Sequence, residues 1–220
     1  MTARLYGKTA LVTGGGSGFG AGIARRFARE GARLLVVDIN ADAAAAVAAE
    51  IGAESCGADV SDATSVAAMA VAAKEHLGAL DILVNNAGVT HQSGPLEGVD
   101  EESFDRVMAV NTKAGYLAAR AFVTGMKAAG KGCILNIAST AGVSPRPNLS
   151  WYNASKGWMI TATRAMAVEL APYGLRVNAV NPVAGETPLL ASFMGEDTPE
   201  IRAKFLSTIP IGRFSQPEDI

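Results

Sequence analysis

The sequence is poor in cysteine and histidine and has no excess of positive charge. Its 220 residues contain two histidines and two cysteines, Cys56 and Cys133, which are isolated from each other. We expect both cysteines to be buried free thiols without a disulfide, and we predict no metal site. Lys and Arg number 19 against 21 Asp and Glu, a net charge of −2. This balance gives no support for nucleic-acid binding, which usually requires a basic face.

Long apolar runs are also absent. No stretch approaches the roughly 20 apolar residues of a membrane-spanning helix. Residues 1–16 hold one short apolar run that glycines interrupt at once, so a secretory signal is not indicated. We therefore expect a cytoplasmic protein without membrane association. Because 49% of the residues are hydrophobic, and the length suits one sizeable core, we expect a single domain over residues 1–220.

Short apolar runs alternate along the chain with longer, alanine-rich segments of helical character. The runs are nearly continuous in hydrophobicity, which is typical of strands covered on both faces. They lie at 9–14, 32–40, 55–60, 80–88, 132–140 and 175–182. Helices are predicted at 18–30, 41–51, 62–77, 101–129 and 152–171. The alternation predicts an α/β fold with a doubly wound parallel sheet, in which ligands bind at the carboxyl ends of the strands.

The first predicted strand ends in TGGGSGFG, residues 13–20, just before a helix. Glycines permit a tight turn and let backbone N–H groups approach a pyrophosphate, while the helix N-terminus favours negative charge. The spacing, G-x-x-x-G-x-G, differs from the common G-x-G-x-x-G dinucleotide pattern. Taken alone, the motif fits a phosphate-binding turn or a turn that only packs.

Carboxylates end the next two predicted strands. Asp38 follows Gly20 by eighteen residues. It is placed to accept hydrogen bonds from both ribose hydroxyls of adenosine and to repel a 2′-phosphate, which favours NAD over NADP. Its alternative role is a helix cap. Asp59 is expected either to meet the adenine amino group or to cap the helix that starts near Asp62.

Tyr152 and Lys156 are four residues apart in a predicted helix, so their side chains share one face. A neighbouring ammonium favours the phenolate and is expected to lower the tyrosine pKa from about 10, so that the phenol exchanges protons near neutral pH. Ser139, at the end of the preceding strand, is placed to orient the same substrate oxygen. The spacing alone is more typical of an ordinary amphipathic helix.

Taken together, these motifs resemble those of the classical short-chain dehydrogenases/reductases. The matching elements are TGGGSGFG, DV at 59–60, NNAG at 85–88, Asn111, Ser139, YNASK at 152–156 and NP at 181–182. The resemblance covers essentially the whole chain and implies a Rossmann-type, three-layer α/β/α fold. The sequences of these motifs are similar to those of 3-oxoacyl-[acyl-carrier-protein] reductase-like members.

The resemblance also implies a role for each matching residue. Tyr152 would be the general acid/base, and Ser139 would hold the substrate oxygen. Lys156 would bind the nicotinamide ribose, and Asn111 would hold a water that links Lys156 to solvent. The implied cofactor-binding residues are Gly14, Gly16, Ser17, Gly18, Phe19, Gly20, Asp38, Ile39, Asp59, Val60, Asn86, Ala87, Gly88, Tyr152, Lys156, Pro182, Gly185 and Thr187.

Two features depart from this family pattern. Val183 follows Pro182 where the family usually has glycine, and the glycine comes later, at Gly185. The turn conformation at Val183 is therefore an open question. The chain also ends where such proteins usually continue, so we expect the usual C-terminal helix and seventh strand to be absent.

Three functions are compatible with these residues. The first is an NAD-dependent oxidoreductase that interconverts a secondary alcohol and a ketone of small or medium size, as a homotetramer or homodimer. The second is a 3-oxoacyl-[acyl-carrier-protein] or 3-oxoacyl-CoA reductase, although Asp38 disfavours the NADPH that reductive synthesis usually uses. Carrier-protein docking needs basic residues, for which Lys127 and Lys131 are candidates. The third is a non-catalytic dinucleotide-binding regulator.

The segment 185–208 is long enough to form a lid over the site. Its apolar side chains would either cover a substrate or form the core face of a short helix. They are Leu189, Leu190, Phe193 and Met194. Trp151 and His91 have the same two possibilities, a place in the pocket or a structural role.

Overall fold

The structure, a computed structural model, describes residues 3–195 and 197–220 and contains one six-stranded parallel sheet. The strands are β1 (Thr9–Thr13), β2 (Arg33–Asp38), β3 (Glu54–Gly57), β4 (Ile82–Asn85), β5 (Gly132–Ile137) and β6 (Leu175–Val180). Their order is β3-β2-β1-β4-β5-β6. The order reverses between β1 and β4, which is where doubly wound sheets open a crevice for ligands.

Helices cover both faces of this sheet. They are α1 (Gly18–Arg29), α2 (Ala41–Ile51), α3 (Ala63–Leu77), α4 (Glu101–Met108), α5 (Ala114–Ala129), α6 (Ser150–Leu170), α7 (Leu190–Met194) and α8 (Pro199–Leu206). Leu11 of β1 packs in one cluster with Met69 of α3 and Phe122 of α5. Its neighbour Val12 packs on the opposite face with Ile23 of α1. Burial on both faces explains the unbroken hydrophobicity of the strands, and each large buried side chain contributes about 1.5–3 kcal/mol.

The single helix predicted over 101–129 is wrong in one respect. A π-helical turn, Ala109–Lys113, separates α4 from α5. Asn111 lies in this turn, and its amide bonds to both backbone groups of Val89 and to Ser155 Oγ. The widened turn accompanies these tertiary hydrogen bonds, and π-turns of this kind often occur at functional sites.

Other expectations concern cysteines, metals and membranes. Cys56 and Cys133 are free thiols, but both are partly exposed rather than fully buried. Within residues 3–195 and 197–220, no group of three or more His, Cys, Asp or Glu side chains is arranged to hold a metal ion. In the same part of the chain, no helix combines the length and hydrophobicity needed to cross a bilayer.

Candidate active site

A cavity of about 580 Å³ lies at the carboxyl ends of the strands. It is lined by residues that end or follow the six strands, namely Gly14, Asp38, Asp59, Asn86, Ser139 and Pro182. All the residues predicted for the site line this cavity except Gly16, Gly20 and Asn111. These three lie directly behind it, as the contacts described below show.

The glycine turn after β1 is held by close backbone contacts. Gly14 has φ of 62°, a left-handed conformation that favours glycine. A β-carbon at Gly20 would lie 2.0 Å from the Gly14 carbonyl oxygen, so no larger residue fits there. Asn86 donates from Nδ2 to the carbonyl oxygens of Thr13 and Gly14 at 2.9 and 3.0 Å. The amide of Asn86 therefore fixes the turn against β4.

Asp38 is tied to the glycine turn rather than to a helix end. Its Oδ2 accepts a hydrogen bond from the Gly16 N–H at 3.0 Å, and its Oδ1 accepts one from the Asn40 N–H at 3.0 Å. Asn40 itself caps α2 by accepting from the Ala43 N–H. The alternative role of Asp38 as a helix cap is therefore wrong, and Asp38 lines the cavity.

Asp59 is likewise not a helix cap. Its Oδ1 accepts hydrogen bonds from the backbone N–H and the hydroxyl of Ser61 at 2.8 and 2.6 Å, and these bonds lower the pKa of the Asp59 carboxyl. Asp62 caps α3 instead, by accepting from the Ser65 N–H at 2.7 Å. Asp59 therefore faces the cavity as an ionised acceptor.

Tyr152, Lys156 and Ser139 lie together in the wall of the cavity. The first two occupy one face of α6, and Lys156 Nζ is 5.8 Å from the centre of the Tyr152 ring. That ammonium donates to the Ile137 carbonyl oxygen at 3.0 Å. Ser139 Oγ accepts from the Ala141 N–H at 3.1 Å, which orients its hydroxyl group. The cavity thus holds a phenol, an ammonium and a hydroxyl, a set suited to proton transfer.

Burial controls the pKa values of this set. Desolvation raises the pKa of Tyr152 to about 12, and its interaction with Ser139 lowers it only in part. Desolvation also lowers the pKa of Lys156 to about 8. The prediction that Lys156 brings the tyrosine pKa below 10 is therefore wrong for the protein alone. The removal of the phenol from water is the largest cause of the rise in its pKa.

Asn111 lies behind Gly88, on the side of the cavity wall next to Lys156. A β-carbon at Gly88 would be 3.4 Å from Asn111 Oδ1 and 3.3 Å from Lys156 Nζ. The amide of Asn111 accepts from the Val89 N–H at 2.9 Å and donates to the Val89 carbonyl oxygen at 2.8 Å. It therefore holds the chain that follows β4 close to the lysine.

The segment after β6 packs onto the start of α1. A β-carbon at Gly185 would lie 2.2 Å from Phe19 Cζ, so the ring occupies the space that a side chain would need. The Thr187 N–H donates to the Gly185 carbonyl oxygen at 2.8 Å. Among the described residues other than glycine, only Asn148 has a positive φ. Val183 therefore has an ordinary backbone conformation, and the turn after Pro182 does not need the glycine that the family usually has there.

Most of the chain matches a known protein family. The family model described as short chain dehydrogenase matches residues 8–197, which is most of the chain. The chain belongs to the short-chain dehydrogenase family.

Relatives of this short-chain dehydrogenase include enzymes and solved structures. The 4-formylbenzenesulfonate dehydrogenase TsaC1/TsaC2 of Comamonas testosteroni is 48% identical over 219 residues, which span 97% of this chain and 87% of the relative. A 3-ketoacyl-(acyl-carrier-protein) reductase from Brucella melitensis, complexed with NADH, is 48% identical with a TM-score of 0.92, covering 98% of this chain and 88% of that one. A structure from Beutenbergia cavernae, named as an NAD(P)-dependent gluconate 5-dehydrogenase with bound NADP, is 37% identical with a TM-score of 0.91. The match covers 100% of this chain and 88% of that one. The chain is thus an oxidoreductase that acts on alcohol groups.

The segment that follows β6 in this short-chain dehydrogenase divides its apolar side chains between a core cluster and the cavity. Leu190 and Met194 are buried in a cluster with Ile209 and Phe214, so they form a small core. Phe193 instead faces the cavity and packs edge-on against Tyr152, with ring centres 5.0 Å apart.

Two side chains beside the site have structural roles. Trp151 donates from Nε1 to the Leu96 carbonyl oxygen at 3.3 Å and packs edge-on against Phe104, outside the cavity. His91 is buried, and its Nδ1 bonds with the Gln92 carbonyl oxygen at 2.8 Å.

Sequence reasoning missed Arg146 and Phe205, which also line the cavity. Arg146 stands in the short segment between Ser139 and the tyrosine helix, and its proximity to Tyr152 in the chain was the available sign. Phe205 is more than fifty residues away from Tyr152 in the sequence, so local pattern could not place it here.

Proposed function

We propose that this enzyme is an NAD-dependent oxidoreductase that interconverts a secondary alcohol and a ketone through Ser139, Tyr152 and Lys156. The observation that carries the proposal is that these three side chains line the same cavity as the glycine turn and Asp38. A dinucleotide held along the carboxyl ends of the strands would bring its nicotinamide to the same cavity as the tyrosine. Two of the compared dehydrogenases are named for 4-formylbenzenesulfonate and gluconate, which supports a small-molecule substrate here.

The glycine turn and the carboxylates behind it fit a dinucleotide. The turn leaves no room for β-carbons at Gly20, and Asn86 holds it rigid, so backbone N–H groups at the start of α1 stay available to a pyrophosphate. NAD, when bound, supplies the hydride acceptor and a positively charged ring. The protein supplies position and proton transfer.

Proton transfer in this proposal belongs to Tyr152. During oxidation the hydroxyl hydrogen of the alcohol passes as a proton to the phenolate form of Tyr152, while the hydrogen on the carbinol carbon leaves as hydride, and C–OH becomes C=O. Ser139 donates to the substrate oxygen in both states. Because the pKa of Tyr152 is about 12, the phenol is protonated at neutral pH and is ready to act as the acid for ketone reduction.

Lys156 has two tasks in this scheme. Its ammonium has three N–H donors, of which one bonds to the Ile137 carbonyl oxygen at 3.0 Å. In the proposal, the others would serve the nicotinamide ribose and, through a water held by Asn111, a path for protons to solvent. The charge on Lys156 also favours the phenolate that oxidation requires.

The NAD preference in the proposal follows from Asp38. Its carboxylate is anchored by two backbone N–H groups at the cavity, beside the expected adenosine ribose. A 2′-phosphate there would meet a fixed negative charge, whereas ribose hydroxyls would find hydrogen-bond acceptors.

The carrier-protein reductase is a weaker candidate, although one compared structure carries that function by name. The two lysines considered for docking are both engaged within the chain. Lys127 stacks over the Tyr173 ring at 4.2 Å, and Lys131 pairs with Asp81 at 3.1 Å. The charge of Lys131 is therefore partly offset by Asp81, which weakens the case for docking of an acidic partner.

We also propose that the protein forms a homotetramer or homodimer. Tyr116 of α5 and Trp158 and Val168 of α6 are large hydrophobic side chains that stand exposed, and a contact between subunits through these helices would cover them. Light scattering on a sizing column would give the mass directly, and a monomeric mass would refute this part of the proposal.

A panel of secondary alcohols and ketones, followed by NADH or NADPH absorbance, tests the function. We expect turnover of at least one alcohol with NAD, and much lower kcat/KM with NADP. Acetoacetyl thioesters with NADH should be poor substrates. Brisk reduction of those thioesters, or a preference for NADP, would contradict the proposal.

A further inference from the structure

Arg146 is a cationic side chain in the wall of the same cavity as Tyr152. It is half-buried, and it lies in the loop that joins the Ser139 segment to α6. Asn153, in the first turn of α6, donates from Nδ2 to the Arg146 carbonyl oxygen at 2.7 Å. The backbone of Arg146 is thereby fixed to the helix that carries Tyr152.

The guanidinium of Arg146 stacks on an aromatic ring of the lid. Its central carbon lies 4.4 Å from the centre of the Phe205 ring on α8. Stacking uses the flat face of a guanidinium and leaves its N–H edges directed away from the ring. Those edges form the planar fork that binds a carboxylate or sulfonate through two parallel hydrogen bonds.

No carboxylate of residues 3–195 and 197–220 pairs with this arginine. Arg25, Arg202 and Arg213 are, by contrast, each paired with an acidic side chain. Burial without such compensation lowers the pKa of Arg146. A partly buried cation in a cavity gains most from an anion that enters with the ligand.

The side chains near Arg146 indicate the chemical character of the rest of the ligand. The same cavity has apolar lining residues, among them Leu149, Leu189 and Phe193. An aromatic or branched aliphatic body would fit these walls, with polar groups at its two ends.

We propose that the physiological substrate is an anionic alcohol or ketone, whose carboxylate or sulfonate binds Arg146 while its oxygen meets Tyr152 and Ser139. This inference rests on the proposed function for the identity of the reacting group. Arg146 is thus a specificity-determining residue, and the Phe205 ring holds its guanidinium in place.

Matched substrates test the charge directly. The pairs are 1-phenylethanol against 4-(1-hydroxyethyl)benzoate and 4-(1-hydroxyethyl)benzenesulfonate, together with the meta isomers. Charge-assisted hydrogen bonds predict that wild-type kcat/KM favours the best anion by about 10- to 100-fold over the neutral alcohol. Arg146→Met should bring that ratio close to one, and Arg146→Lys should keep part of it because the charge remains.

Two results would overturn the inference. One is a wild-type enzyme that shows no preference for any of the anions. The other is an Arg146→Met variant that loses the same fraction of activity toward neutral and anionic alcohols, since a residue that only tethers the lid would act on both alike.

A binding measurement separates this inference from the proposed function. Calorimetry with benzenesulfonate and the protein–NADH complex should show binding that Arg146→Met abolishes. If no alcohol in the panel is oxidised but this binding is observed, the proposed function fails while the anion site stands. If alcohols are oxidised and benzenesulfonate binds the wild type and Arg146→Met equally, the anion site fails while the function stands.

Discussion

The contact between Gly142 and α6 determines how the Ser139 segment sits against the tyrosine helix. A β-carbon at Gly142 would lie 2.6 Å from the carbonyl carbon of Lys156 and 2.7 Å from the backbone nitrogen of Gly157. Ordinary contacts between such atoms need about 3.5 Å, so Gly142→Ala forces the two segments apart by roughly 0.8 Å. Misplacement of reacting groups by about 1 Å costs up to about 100-fold in rate.

We therefore expect Gly142→Ala to lower kcat by about 10- to 100-fold, because Ser139 and Tyr152 no longer meet one substrate oxygen. Overpacking should also destabilise the protein by about 1–3 kcal/mol. The affinity for NADH should change much less, since the glycine turn and Asp38 are untouched. Steady-state kinetics, NADH fluorescence titration and urea denaturation measure the three quantities separately.

Gly157→Ala is the matched control, because it adds the same methyl group to the other side of this contact. A β-carbon at Gly157 would lie 3.6 Å from the Gly142 carbonyl oxygen, an ordinary contact. We expect kcat within about twofold of wild type and about 1 kcal/mol more stability, since alanine is the better helix residue. Wild-type kcat in Gly142→Ala, or equal damage from both changes, would refute the reasoning.

Three further changes test other parts of the site. Asp38→Asn keeps an oxygen for the Gly16 N–H but removes the charge, so the kcat/KM preference for NAD over NADP should fall by about 10-fold or more; an unchanged ratio would contradict the role of Asp38. The pKa of Lys156 is about 8 in the folded protein and 10.5 when exposed, so the unfolded chain binds more protons between these values and the stability of the cofactor-free protein should rise with pH there. Urea denaturation should show that rise in wild type and not in Lys156→Met. Equal slopes of unfolding free energy against pH in the two proteins would exclude the role of Lys156. Thr163→Val removes the 2.8 Å hydrogen bond that the buried Asn136 amide donates, and should cost about 1–3 kcal/mol in urea denaturation, whereas a loss below about 0.5 kcal/mol would show that the amide finds another partner.

The strands and the glycine turn could be predicted because their causes are local. Leu11 and Val12 pack on opposite faces of the sheet, so every residue of β1 is buried and the apolar run is unbroken. The turn after β1 depends on a positive φ at Gly14 and on the space at Gly20, and both restrict the sequence directly.

The π-turn and the tyrosine pKa could not be predicted, because both depend on distant parts of the chain. Asn111 interrupts its helix while bonding to Val89 and Ser155, which lie more than twenty residues away on either side. The spacing of Tyr152 and Lys156 indicated a shared face but not the depth of burial, and burial decides the sign of the pKa shift.

The role of Arg146 also could not be predicted from the sequence. The sequence places it near Tyr152, but the partner that orients its guanidinium, Phe205, comes from α8. A contact across the lid has no counterpart in a local pattern, so the charge of the substrate could be inferred only from the folded chain.

The proton carried by Tyr152 Oη is the central claim, and Tyr152→Phe tests it most directly. The variant keeps the ring that packs against Phe193 and removes only the hydroxyl. General acid–base catalysis predicts a fall in kcat of about 10²- to 10⁴-fold, with the dissociation constant for NADH within about threefold of wild type. A variant that binds NADH normally and keeps a tenth or more of wild-type kcat would contradict the account.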